Sequence, residues 1–249
     1  MNSKPIAPAR AEIPQTLGLA ELLLLLGAGA GGALAATVVL PIWLPGLTQS
    51  LLGAEPKAFW YLARASGMVA YILFWLTMVL GLVVSNKMAR LWNGSPTAIE
   101  LHQFLTWLAI AFGLFHALIL MGDTYIRATL WQVMTPFAYT GYEPFWVGVG
   151  QLAFYLGLLI ALSVYIRKRL GYRVWRMLHH VSWVVFLLLT AHGLLAGTDA
   201  AHPVSLSMYL GAAVTVYCLL MVRIFSAMRA VKSVSYAAAK TTARSSAPR

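Results

Sequence analysis

Apolar runs long enough to cross a lipid bilayer recur along this whole chain, and no other feature constrains its fold as strongly. A helical span needs about 20 consecutive apolar residues. Six candidates stand at roughly 17–40, 59–84, 99–121, 145–166, 177–197 and 205–225. Of the 249 residues 60% are hydrophobic and only 10% charged, where a soluble domain carries roughly a quarter charged. The expected fold is an all-α integral membrane protein, a six-transmembrane helix bundle. The first run follows Lys4 and Arg10 and contains "ALAA", as a cleaved signal peptide would. It is longer than a usual signal core, so a retained first span over 17–44 is expected, after an N-terminal segment at 1–16.

Basic residues set the expected orientation. Fifteen of the eighteen lie in the N-terminal segment, the 2–3 loop, the 4–5 loop (Arg167, Lys168, Arg169, Arg173, Arg176), at Arg223 where the last span ends, and in the tail at 226–249. Only Lys57, Arg64 and Arg127 fall on the other side. The positive-inside rule then places both termini in the cytoplasm of a multi-pass protein of the cell's plasma or inner membrane. The same distribution accounts for the net charge of +11 without nucleic acid as a partner; membrane lipid is the expected one. The tail is small-residue-rich and basic, and is expected to be disordered or to lie on anionic lipid. Thr97 and Glu100 have capping-box spacing at the start of span three. Residues 123–144 mix aromatics, threonines and prolines, and read as an outer loop with an interfacial helix. Tyr125, Trp131, Tyr139 and Tyr142 there fit an interfacial aromatic belt better than a docking surface. Asp123 and Glu143 are the loop's only acids, which is no chelating cluster.

The lone cysteine, Cys218, excludes an internal disulfide, and no C-x-x-C-H or cysteine cluster exists for c-type haem or iron–sulfur chemistry. The six histidines are more informative. His202 lies in the short outer 5–6 loop and reads as solvated. The other five lie in two spans, His102 and His116 in span three, and His179, His180 and His192 in span five. Ionisable groups inside a membrane are costly and mark function by default. Spans three and five run parallel, so His102 faces the level of His179 or His180, and His116 that of His192. The step of fourteen residues is about 21 Å of helical rise, and thirteen about 20 Å. Two cross-helix pairs at two depths are what two six-coordinate b-type haems ask of their protein. Zinc or copper would want three or four ligands at one level. Fourteen residues return to within about 40° of one helix face, but thirteen miss by about 140°. Span five therefore needs a local bend, a wider helical turn, or haems approached from different sides, and twelve residues from His180 fit no better.

These residues resemble the ferric-reductase-like transmembrane domain, the haem-binding membrane core of NADPH oxidases, metalloreductases and the haem subunit of the bacterial periplasmic methionine sulfoxide reductase. The likeness covers about 58–225. It rests on "LARASG" at 62–67, on the His102–His116 step, and on "LHH…AHG" at 178–193. The resemblance implies two haem b groups between spans three and five, with His102 and His179 on the inner iron and His116 and His192 on the outer. It selects His179 over His180, and makes Arg64 similar to a residue partnering an outer haem propionate. A snorkelling interfacial arginine accounts for Arg64 equally well. About 24 residues follow the last span and carry no G-x-G-x-x-G, so the expected electron donor is a separate flavoprotein reductase or a quinol. The implied function is transmembrane electron transfer by a dihaem b-type cytochrome, from a cytoplasmic-side donor to an outer-face acceptor, an oxidoreductase membrane component rather than a self-sufficient enzyme. A quinol-fed haem subunit of a periplasmic reductase system is the nearest alternative. A non-redox haem carrier or a proton-conducting bundle is the alternative of another class.

Overall fold

In a computed structural model the described residues are 18–43, 58–86 and 95–245, and the N-terminal segment 1–16 and the 2–3 loop bases Lys87 and Arg90 lie outside them. Every regular element among the described residues is helical: α1 (Leu19–Trp43), α2 (Ala58–Ser85), α3 (Ser95–Ile119, running into a 3-10 turn at Leu120–Gly122), α4 (Leu130–Met134), α5 (Pro144–Leu170), α6 (Tyr172–His180), α7 (Ser182–Leu195) and α8 (Pro203–Ser245). Five stretches among them are long and apolar enough to cross a membrane: Ala58–Ser85, Pro96–Gly122, Pro144–Leu170, Tyr172–Leu195 and Pro203–Ser226. The chain is thus a multi-pass helical membrane protein. α1 is also strongly apolar, with Glu21 in its first turn as its one charged residue.

The packing is that of helices dissolved in lipid. α2 lies along α3, α5 along α7, and α8 against α2. Small residues let the backbones approach: Ala153 and Ala212 are fully buried and Ala63 nearly so, while Leu24 and Leu187 stand 73% and 66% exposed. Lipid tails are as apolar as leucine, so close van der Waals contact, rather than escape from water, holds such helices together. Tyr71, Met78 and Leu82 of α2 meet Phe186 of α7 and Tyr209, Ala212 and Val216 of α8 in one cluster. Ala153 and Ile160 of α5 close on Val185 of α7 in another.

Three local features depart from the sequence expectations. α3 begins at Ser95, before the expected Thr97–Glu100 box, with Pro96 in its first turn; proline's fixed φ suits that position and its missing N–H costs nothing there. α8 continues through the tail to Ser245, where an alanine-, lysine- and arginine-rich sequence has high helix propensity. Span five is not one helix. The His180 Nδ1 donates to the Arg176 carbonyl at 2.6 Å, and the Val181 N–H turns back to the Leu178 carbonyl at 3.0 Å. A side chain competing for the carbonyl ladder, followed by a tightened turn, separates α6 from α7.

The segment between α3 and α5 is folded. Asp123 is buried and accepts from the N–H groups of Tyr125 and Ile126 at 2.9 and 2.8 Å. α4 opens on a reciprocal cap between Thr129 and Gln132. From α5, Gln151 donates to the carbonyls of Gln132 and Val133 at 2.6 and 2.9 Å, and Tyr155 to that of Met134 at 2.5 Å. This segment is therefore tied to the helix that flanks His192. Tyr139 is buried within it, whereas Tyr125 and Trp131 are exposed.

Candidate functional site

Two pairs of imidazole rings face each other across α3 and the α6–α7 segment. One pair, termed outer after the expected orientation, is His116 and His192, with ring centroids 6.3 Å apart and planes at 75°. The inner pair, at the end of the bundle that carries Arg167 to Arg176, is His102 and His179, 6.1 Å apart at 61°. His180 is not drawn in: it is exposed and bonded to its own helix. The helix that carries the thirteen-residue step is interrupted at Val181, between His179 and His192.

Three of the four rings are held by one device. His116 Nδ1 bonds the Ala63 carbonyl at 2.7 Å, His102 Nδ1 that of Thr77 at 2.9 Å, and His192 Nδ1 that of Trp146 at 2.8 Å. A carbonyl only accepts, so each Nδ1 carries the proton and each Nε2 keeps its lone pair. Four residues beyond each carbonyl stands a glycine: Gly67 after Ala63, Gly81 after Thr77, Gly150 after Trp146. A Cβ at Gly67 would lie 2.9 Å from His116 Nδ1, and one at Gly150 2.5 Å from His192 Nδ1. At Gly81 it would lie 3.4 Å from His102 Cε1. The missing methylene uncovers the carbonyl one turn earlier, and the ring of a neighbouring helix enters the gap. The signal was present in the sequence, since Gly67 and Gly81 in α2 repeat the fourteen-residue step of His102 and His116 in α3.

His179 is held differently. Its ring makes no hydrogen bond among the described residues and stacks on Trp175, at 5.3 Å and 29°. Thirteen residues on from Gly150 stands Ser163, not a glycine, and its hydroxyl donates to the Ile160 carbonyl.

Arg64 sits next to Ala63, at the outer level. Its guanidinium lies 4.0 Å from the centre of the Trp60 ring and is paired with Asp199, in the loop leaving α7. Nothing in the sequence pattern pointed to Asp199.

The family model described as ferric reductase like transmembrane component matches residues 66–190. The chain belongs to this family. The match takes in His102, His116, His179 and His180 and stops just short of His192; Arg64 lies just before it. No curated protein and no solved structure matches the chain.

The residues of this ferric reductase-like domain fit the haem that such domains generally bind. Two imidazoles on opposite sides of one iron put their centroids about 6 Å apart, which is the spacing of both pairs. Among the described residues no three His, Cys, Asp or Glu side chains gather, and two axial nitrogens are all that a six-coordinate haem takes from its protein. Of the three buried side-chain polar atoms without partners among the described residues, two, Thr77 Oγ1 and Trp175 Nε1, belong to residues that touch the two inner rings, and the third is Asn86 Oδ1. Buried polar groups are rarely left unpaired, and such orphans fit a polar group of an occupant.

Proposed function

We propose that this chain is a dihaem b-type cytochrome that passes single electrons across the membrane. His102 and His179 would hold the inner haem and His116 and His192 the outer. The observation that carries the reading is the matched ring spacing at two levels, with Nε2 left free on His102, His116 and His192. Bound haem supplies an iron that changes its charge by one without moving its ligands far. The carbonyls of Ala63, Thr77 and Trp146 keep the rings oriented and raise their basicity, as partners behind metal-bound histidines do. The apolar cluster of Tyr71, Phe186 and their neighbours keeps water from the path between the two levels. We read α1 as a retained sixth span and both termini as cytoplasmic, with a separate flavoprotein or quinol as donor and an acceptor at the outer face.

Purified chain is expected to show a b-type reduced-minus-oxidised spectrum and two haems per chain by pyridine haemochrome assay. Folded protein without haem would remove the basis of the reading. In proteoliposomes, reductant supplied at the cytoplasmic face alone should reduce an acceptor on the far side. Proton flux without any redox acceptor would favour a proton-conducting bundle instead, and haem reduction by quinol alone a quinol-fed subunit.

Arg64 is the proposed cation of the outer haem, with its charge balanced by Asp199. Asp199→Asn should unmask that charge, favour the reduced and more negative haem, and raise the outer midpoint by on the order of tens of millivolts. Redox titration of the variant checks the sign.

A further inference from the structure

The two pairs are not built alike. In the outer pair each ring is anchored through Nδ1 to the backbone of another helix, and each fills a gap left by a glycine. In the inner pair His102 has this anchor, but His179 has none among the described residues. Its lateral support is Trp175, four residues earlier on the same helix, whose indole N–H is itself without a partner among the described residues. Two residues after His179 the helix is interrupted at Val181. A ring anchored to a neighbouring helix can turn aside only by breaking that bond; a ring stacked on its own helix beside a break moves with that helix.

We propose that the inner pair is an openable site, and that His179 is the ligand that yields. This inference rests on the reading of the pair as a haem site. With haem bound, His179 Nε2 would be the ligand released from the reduced inner iron, and a small neutral donor would take its place. One iron–nitrogen bond is exchanged for one iron–ligand bond, and no electron or proton moves. The outer pair, anchored on both sides, stays closed. The inner level thereby has a binding position for a small uncharged ligand, of which carbon monoxide is the simplest probe.

The difference from a merely structural asymmetry lies in Trp175. As a positioning residue it keeps His179 upright, so Trp175→Ala should speed carbon monoxide binding about tenfold or more, the usual weight of a group behind a metal ligand. Trp175→Phe keeps the stacking face and should restore a rate close to the native one.

The experiment uses the full-length haem-loaded chain, reduced with dithionite and mixed with carbon monoxide in a stopped-flow spectrometer. The expected result is binding by one of the two haems only, accelerated by Trp175→Ala and not by Trp175→Phe. Identity of the responding haem is read from His102→Ala, which should abolish or remodel the carbon monoxide signal while the outer haem's spectrum persists. A dihaem protein that binds no carbon monoxide overturns the inference while leaving the haem reading intact. So does binding confined to the outer haem, equal binding by both, or a rate unmoved by Trp175→Ala. Absence of haem in the wild-type chain is the separate outcome that sinks the underlying reading, and this inference with it.

Discussion

Replacing either His116 or His192 with alanine is expected to remove the outer haem and leave the inner one, so that haem content falls by about half. Each substitution deletes one of the two imidazole nitrogens that the described residues offer at that level, and leaves a carbonyl of Ala63 or Trp146 facing the hole. The effect should stay local because the two levels are separate in their supports. Along α3 the histidines stand about 21 Å apart, and their carbonyl partners, Ala63 and Thr77, lie at different heights on α2. The tightly packed cluster around Tyr71 and Phe186 does not depend on either ring. Haem quantified per chain, with a redox titration to see which component is missing, checks this. Loss of both haems, or of neither, would count against the pairing.

How far the sequence could be read depended on the kind of signal each feature carried. Membrane-length apolar runs and histidines restricted to two of them survive translation into structure, because helix rise converts residue number directly into depth. His102 and His179 accordingly share one level, and His116 and His192 another. Azimuth was harder. The thirteen-residue step asked for a bend, a wider turn or haems approached from different sides without choosing among them, and the interruption at Val181 goes with a side-chain bond from His180 to Arg176 that spacing does not show. The pairing of Arg64 with Asp199 joins residues 135 apart in sequence, one in a helix and one in a loop, and no periodicity relates them. The carbonyl and glycine device was legible in principle. Gly67, Gly81 and Gly150 are otherwise ordinary membrane-helix glycines, and only knowing which helix faces which gives their spacing a meaning.

That device makes the second large expected effect, a graded one. Alanine at Gly150 puts a methyl group 2.5 Å from His192 Nδ1, and at Gly67 one 2.9 Å from His116 Nδ1. Neither ring has a free retreat. Moving it breaks its carbonyl bond and swings Nε2 away from the partner ring, and a misplaced axial ligand cannot hold its iron. Gly150→Ala should therefore abolish outer haem binding, and Gly67→Ala should weaken it by roughly 10- to 100-fold, as lost support behind a metal ligand typically does. At Gly81 the nearest ring atom would be 3.4 Å away, at the edge of ordinary contact, so Gly81→Ala should cost the inner site little. Gly157 supplies the control: its added methyl would meet Val185 at 3.6 Å, an ordinary packing distance, and no histidine. All four substitutions raise helix propensity by a similar amount, about 1 kcal/mol. A ranking of haem loss in the order Gly150, Gly67, Gly81, Gly157 must then come from ring displacement and not from the backbone. Haem retention per chain after detergent purification reads that order, and equal retention across the four would show that the rings do not need the gaps they occupy.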